Sequence, residues 1–456
     1  MSQTQRIHLI ASGGSIMHSL AISLKQAGHQ VTGSDDHFYE PSKSNLERNG
    51  LLPSKEGWNP NLINDDIDLV ILGMHAKEDN PELSKAKGLN IKIYSYPEYI
   101  YECSKNKQRI VIAGSHGKTS ITAIVMHVLK SMGRDFDYMV GAQLDGFDNM
   151  VKLSDAPIII IEGDEYTTST TDGRPKFLNY HHHIGSISGI SWDHFNVYPT
   201  LDDYVKLFEQ FADATPKAGS LIYCEEDHLA SMIIAKKERA DVTNIPYKAH
   251  EHVVIEGKTT LVTEDGNVQV EVFGYHNMQN ISCAKAILKR IGITDEPFYK
   301  HITTFKGAAR RMEIVGENPD TIIYNDFAHA PSKLLATTLA IKDQFPNRFL
   351  ISCLELHTFS SLNKDFIDQY EGTFNNSDEA IIYVDPKAAT QKGLDQLTEN
   401  DLRVAFKRND ILLFNDKTQL EQHLYDQDWK NKNLILMSSG NFGGLDLKAL
   451  KEKVLH

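Results

Sequence analysis

Seven consecutive residues, Gly114-Ser115-His116-Gly117-Lys118-Thr119-Ser120, combine the types that can hold a chain of phosphates. Two glycines let the backbone curl around an anion, and the N–H groups opening a following helix point at it. Lys118 adds a point charge for the terminal phosphates, and the Thr119 hydroxyl is a hard oxygen ligand for Mg2+. The spacing departs from the common pattern G-x-x-x-x-G-K-[ST], because Ile112 stands five residues before Gly117. Further on, Glu162, Asp164 and Glu165 follow four consecutive isoleucines. Carboxylates at the end of such a strand, beside a phosphate loop, suit a metal on the nucleotide phosphates; solvated loop acids are the competing reading. Asp193-His194 ends another apolar run, so His194 is a candidate second metal ligand with Asp193 as its orienting neighbour. The adjacent His181, His182 and His183 point to alternate faces of a strand and read as incidental.

Strands and helices must deliver these groups. Ile110, Val111 and Ile112 form a strand into the loop, and Ile121, Ile124, Val125, Val128 and Leu129 recur at helical spacing beyond it. The opening segment repeats the plan. A strand at 7–10 leads to Ser12-Gly13-Gly14-Ser15, then to a helix through Met17, Leu20 and Leu24, and a second strand ends at Ser34-Asp35. This is a βαβ unit, although Ala11 replaces the first glycine of a dinucleotide fingerprint. Asp35 lies where a ribose-binding acid sits, or else caps the next turn. Asn277 and Asn280 share a helix face and suit either an adenine edge or a helix cap. Arg310 and Arg311 beside Glu313 suit a phosphate clamp or a surface salt bridge. The strand at 321–326 then runs into Asp326 and His329, and further strands at 349–354, 379–384 and 434–438 alternate with helices. The pattern predicts an α/β protein of three domains, 1–106, 107–312 and 313–456, with Rossmann-like first and last domains around a P-loop domain.

Composition narrows the function. The 456 residues carry 61 acidic and 47 basic side chains, a net charge of -14, which disfavours a broad nucleic-acid surface. Four scattered cysteines without a C-x-x-C suit a reducing cytoplasm. Residues 1–6 show no signal-peptide pattern, and no apolar run approaches the roughly 20 residues of a membrane-spanning helix. A cytoplasmic protein without membrane insertion, monomeric or homodimeric, is expected.

In order along the chain, the phosphate loop, Glu162-x-Asp-Glu165, Asp193-His194, Gly274-x-His276-Asn277-x-x-Asn280, Arg310-Arg311-x-Glu313 and Asp326-x-x-His329 resemble the Mur ligase family from end to end. The resemblance implies three domains that bind a UDP-sugar, ATP and an incoming amino acid or peptide. A substrate carboxylate is phosphorylated by ATP with Mg2+, and an amine then displaces the phosphate. By the same resemblance, Lys118, Glu162, His194 and Arg311 serve catalysis. Gly114 to Ser120, His276, Asn277, Arg311, Asp326 and His329 meet ATP, and Thr119, Glu162 and His194 hold the metal. Ser12, Gly13, Gly14, Ser15, Met17, Ser34, Asp35 and His357 are the substrate-binding candidates. Residues 39–44 and 437–444 are similar to the branch that joins L-Ala-γ-D-Glu-meso-diaminopimelate to UDP-N-acetylmuramate. The alternative is the branch that adds L-alanine. Glu355-Leu-His357-Thr-Phe-Ser-Ser lacks the arginines of that alanine-adding pattern. A P-loop switch protein that makes no bond is the alternative of another class. A nicotinamide oxidoreductase built on 1–106 is disfavoured by Ala11 and the Lys-Thr loop.

Overall fold

The computed structural model describes residues 4–455 except 171, 194–196, 238, 256 and 309. The chain falls into two compact units, Met1–Ile190 with Val205–Tyr247 and Cys283–Phe298, and Ser191–Tyr204 with Lys248–Ser282 and Tyr299–His456.

In the first unit, β1 (Arg6–Ile10), β2 (Gln30–Ser34), β3 (Leu69–Leu72) and β4 (Lys92–Ser95) form a parallel sheet in the order β2-β1-β3-β4. A larger sheet contains β5 (Gln108–Ala113), β6 (Asp137–Met139), β7 (Val151–Lys152), β8 (Ile158–Glu162), β9 (Ile184–Ile187), β10 (Ser220–Cys224) and β11 (Thr243–Tyr247). Its order is β11-β10-β9-β5-β8-β6-β7, and only β7 at the edge runs antiparallel. Ile110–Ile112 and Ile159–Ile161 are fully buried because helices cover both faces of this sheet, so the central strands read as unbroken apolar runs. β5 and β8 pair in parallel and end side by side, which brings the phosphate loop next to Glu162.

Polar anchors, buried at Lys107 and Arg109 and more exposed at Asn149 and Thr170, hold the junction between the two sheets of this unit. Arg109 donates to the carbonyls of Ser104, Lys105, Lys107 and His181. Lys107 Nζ reaches Asp137 Oδ2 at 2.5 Å and the Ala156 carbonyl at 2.9 Å. Asn149 Nδ2 donates to the Ser19 carbonyl at 2.7 Å, and Thr170 Oγ1 to the Ala76 carbonyl at 2.9 Å.

The second unit carries a small antiparallel sheet, β12 (His252–Ile255), β13 (Lys258–Thr263) and β14 (Gly266–Gln269). Its main sheet contains β15 (Glu313–Glu317), β16 (Ile322–Asp326), β17 (Phe349–Glu355), β18 (Glu379–Tyr383), β19 (Leu412–Phe414) and β20 (Lys432–Met437). The order is β15-β16-β20-β17-β18-β19, all parallel except β15. Asp326, Glu355 and Met437 therefore end neighbouring parallel strands on one rim of the sheet.

Ala11, which stands where a glycine was expected, takes the left-handed conformation with φ 63°. The turn after β1 is thus kept at a local cost of about 1–2 kcal/mol. The turn is also held from β2, where a Cβ on Gly33 would stand 2.7 Å from the Cβ and Oγ of Ser12. Gly33→Ala should displace the turn and destabilise the first sheet by about 1–3 kcal/mol. A lowered thermal-unfolding midpoint with secondary structure intact checks this.

Candidate active site

The phosphate loop is shaped by its glycines. Gly114 has φ 138° and Gly117 φ 79°, both outside the range of ordinary side chains. A Cβ on Gly114 would collide with Ser188 Oγ and lie 2.9 Å from the Ser188 amide. Ser188, just past β9, donates its N–H to the Ala113 carbonyl at 3.0 Å, and Ser115 N–H donates to the Gly189 carbonyl at 2.9 Å. A Cβ on Gly189 would in turn overlap the His116 ring. The loop is thus wedged against the end of β9, which stops at Ile187 to make that turn.

Helix Lys118–Ser131 opens at Gly117 with no side-chain cap. Helix Ser15–Gln26 opens at Gly14 in the same way. Three other helices of this unit are capped, by Asn80, by Ser95 in a capping box with Glu98, and by Asp227, while the short helix Ser42–Arg48 begins at Pro41 without one. The two glycine turns thus leave their helix starts without a side-chain oxygen, as an anion site requires.

Thr119 Oγ1 donates to Glu162 Oε1 at 2.8 Å, and the Gly141 N–H donates to Glu162 Oε2 at 2.8 Å. A hydroxyl and a carboxylate in contact are a hard-oxygen pair of the kind Mg2+ takes, with phosphates and water completing its shell. Among the described residues no group of three or more His, Cys, Asp or Glu gathers as a metal cage. His194 lies outside the described residues.

The acids after Glu162 separate. The Asp164 side chain is 40% exposed and pairs with Lys176 Nζ at 2.5 Å. Glu165 is buried and accepts a hydrogen bond from Lys118 Nζ at 2.7 Å. Burial opposes the Lys118 ammonium, but Glu165, with Asp164 and Glu162 behind it, outweighs burial and holds its pKa above the ordinary lysine value. Lys118 is therefore charged throughout the physiological range. The solvated-acid reading does not hold for Glu165; an isolated Glu at that spacing carries no signal of its partner.

In the first glycine turn, Gly13 N–H donates to Asp35 Oδ2 at 2.7 Å, and Ser12 N–H to the Ser34 carbonyl at 2.9 Å. Gly14 opens the helix, Ser15 is exposed at its first position, and Met17 is buried. The substrate-side candidates from Ser12 to Met17 and Ser34–Asp35 thus come together. Asp35 closes the turn through Oδ2, while its Oδ1 accepts from the Asp36 N–H at 2.9 Å as the chain enters the next one. Burial, with help from Asp36, raises the Asp35 pKa to about 6.

In the second unit, Phe327 has the Arg310 and Arg311 guanidinium carbons 5.2 and 4.7 Å from its ring centre. Arg310 Nη2 is engaged by the carbonyls of Ser438 and Gly440, at 3.1 and 2.7 Å. Asp326 is buried and accepts from the amides of Met312 and Ala328, each at 2.6 Å. Burial raises its pKa, against the pull of Arg311. His329 shares its Nδ1 proton with the Phe327 carbonyl at 2.8 Å. Burial first, then Lys333, lowers its pKa to about 3, against the pull of Asp193, so the imidazole is neutral. Lys333 pairs with Asp193 at 3.7 Å. Asn277 Nδ2 donates to the Phe273 carbonyl at 2.8 Å at the start of helix Tyr275–Arg290, and His276 lies half-buried beside it. His357 is half-buried, with Nδ1 4.0 Å from Glu355 Oε1.

Residues 6–108 match the catalytic domain of the Mur ligase family, and residues 112–288 the Mur ligase middle domain. A UDP-N-acetylmuramate–L-alanine ligase of Sulfurihydrogenibium sp. is 31% identical over 83% of this chain and 82% of its own. The chain belongs to the Mur ligase family. A Haemophilus influenzae UDP-N-acetylmuramate–L-alanyl-γ-D-glutamyl-meso-2,6-diaminoheptandioate ligase is 26% identical over 98% of both chains. The crystal structure of the UDP-N-acetylmuramate–alanine ligase of Thermotoga maritima superposes with a TM-score of 0.71 at 19% identity, covering 99% of this chain and 98% of that one. The murein peptide ligase of Psychrobacter arcticus gives 0.66 at 22% identity, covering 98% and 99%. This Mur ligase is accordingly an ATP-dependent ligase with the three-domain α/β architecture of its family. No helix among the described residues is long and apolar enough to cross a membrane.

The raised pKa of Asp35 sets a direction for stability. The folded chain binds its proton more tightly than the unfolded chain, so this group favours folding most below pH 4. That contribution disappears as the pH rises through about 6. Asp35→Asn should therefore stabilise the Mur ligase relative to the native chain at pH 7–8, with the difference shrinking below about pH 6. Thermal unfolding of both proteins across pH 5–8 measures it.

Proposed function

We propose that this Mur ligase uses ATP to join an amine to the carboxyl group of UDP-N-acetylmuramate, and that the amine belongs to the tripeptide L-Ala-γ-D-Glu-meso-diaminopimelate. The observation that carries the ligase chemistry is the convergence of Lys118, Thr119 and Glu162 at the paired ends of β5 and β8. The muramyl carboxylate attacks the γ-phosphorus, the bond to ADP breaks, and an acyl phosphate forms. The amine then attacks the acyl carbon, the C–N bond forms, inorganic phosphate leaves, and the amine proton is lost. Lys118 and the amides that open helix Lys118–Ser131 follow the migrating negative charge. Thr119 and Glu162 would hold Mg2+, which when bound neutralises charge on the phosphate oxygens; His194 is proposed as its further ligand.

Ser12 to Met17 with Ser34 and Asp35 receive the UDP-sugar in this reading, the uncapped start of helix Ser15–Gln26 offering N–H groups to its diphosphate. His276, Asn277, Arg311, Asp326 and His329 act on the nucleotide, and His357 on the acceptor. The division into domains 1–106, 107–312 and 313–456, the cytoplasmic location and a monomer or homodimer belong to the same proposal. Residues 39–44 and 437–444, and the full-length likeness to the Haemophilus influenzae ligase, support the tripeptide as acceptor. A second reading, L-alanine as acceptor, is favoured by the relatives of 30–31% identity that bear that name.

Phosphate release from ATP, Mg2+ and UDP-N-acetylmuramate should require the tripeptide, with the ligated product identified by mass spectrometry. Release with L-alanine alone assigns the second reading, and release with neither acceptor removes both. Lys118→Ala should lower turnover by at least about 100-fold. Glu162→Gln should raise the Mg2+ concentration needed for half-maximal turnover, and an unchanged metal titration would remove Glu162 from the metal.

A further inference from the structure

Lys118 is engaged by the chain itself. Its ammonium donates to Glu165 Oε2 at 2.7 Å and to the carbonyl of Gly114 within its own loop. Glu165 is 1% exposed, whereas the Lys118 side chain keeps 15% of its surface. The lysine thus opens toward solvent on one side and is held from behind by a carboxylate that water does not reach.

That asymmetry has an energetic consequence. A buried carboxylate is tolerated when a cation compensates it, and losing that cation leaves a charge that solvent cannot screen. An arriving phosphate competes with Glu165 for the same ammonium protons, and it brings further negative charge close to the same carboxylate. Glu165 and a terminal phosphate are therefore rivals for Lys118. Glu162 is placed differently, since its oxygens take the Thr119 hydroxyl and the Gly141 amide.

We propose that Glu165 is a positioning residue that serves as an internal substitute for the terminal phosphate of ATP. It holds Lys118 against its own loop and yields it when the nucleotide's own phosphate arrives. Glu165 touches neither substrate nor reacting atoms in this scheme and acts through Lys118. It lowers the affinity for a triphosphate and, in return, fixes the lysine where the migrating phosphoryl group needs it. The inference rests on the ATP-site reading above.

The opposing signs make the test selective. Glu165→Gln keeps the shape of the side chain and removes the rival charge. A non-hydrolysable ATP analogue should bind the Glu165→Gln chain about tenfold more tightly than the native chain, a change worth about 1.4 kcal/mol. AMP, which lacks the terminal phosphates, should bind both alike. In steady-state turnover the variant's KM for ATP and its kcat should both fall, because the lysine is reached more easily but held less well. Glu165→Asp, with the carboxylate drawn back by one methylene, should give an intermediate affinity and serves if Glu165→Gln does not fold. Equal or weaker binding of the analogue by the folded variants overturns the proposal and returns Glu165 to a purely structural ion pair. If the native chain binds no ATP analogue, the ATP-site reading itself fails, and this inference with it.

Discussion

Position 114 has no room for a side chain, and the central loop depends on that. Ser188 fills the space where a Cβ would lie, and its amide is bonded to the residue before the glycine. The loop can therefore curl only as it does, with its amides gathered and its lysine turned toward β8. Gly117 and the absence of a cap on the next helix extend the same constraint by one turn. The roles proposed for Lys118, Thr119 and Glu162 rest on a backbone whose course is constrained at Gly114 by Ser188. Preorganised donors cost no rearrangement at the moment of phosphoryl transfer.

The unit repeats the device with different chemistry. After β1, the glycine turn is closed by the Asp35 carboxylate through the Gly13 amide, and helix Ser15–Gln26 again begins uncapped. Elsewhere in the unit asparagine, serine and aspartate satisfy helix starts. Both glycine turns leave a helix start at which an anion can supply the missing acceptor. Buried anions behind both turns, Asp35 and Glu165, balance the positive ends of the helices and of Lys118 from inside.

Much of this could be read from residue types. The βαβ opening, the strand of isoleucines and the loop–helix junction rest on periodicity and glycine spacing, both local properties of the chain. The small sheet β12–β14 gives a weaker local signal, because its strands are short and several of its apolar side chains, Val253, Val254 and Ile255, are exposed. Pairings across long separations leave no such trace. Glu165 meets Lys118 across 47 residues, and Arg310 meets Gly440 across 130. The paired arginines were legible as a cluster. That Arg310 is engaged by loop carbonyls while Arg311 lies against Phe327 depends on the backbone at 310–312, where Arg310 and Met312 both take positive φ. Ala11 shows the converse. The turn survives the loss of its glycine because the surrounding sheet imposes a left-handed conformation on alanine, an override that propensity does not reveal.

The polar anchors between the two sheets of the first unit have a further meaning. Arg109 and Lys107 draw several carbonyls to two cations at the chain crossing, while Asn149 and Thr170 add stitches at other points. Such a junction ties the first glycine turn and the second into one compact unit. In the reading proposed above, the sugar nucleotide at the first turn would have to reach across this junction to the phosphate held at the second.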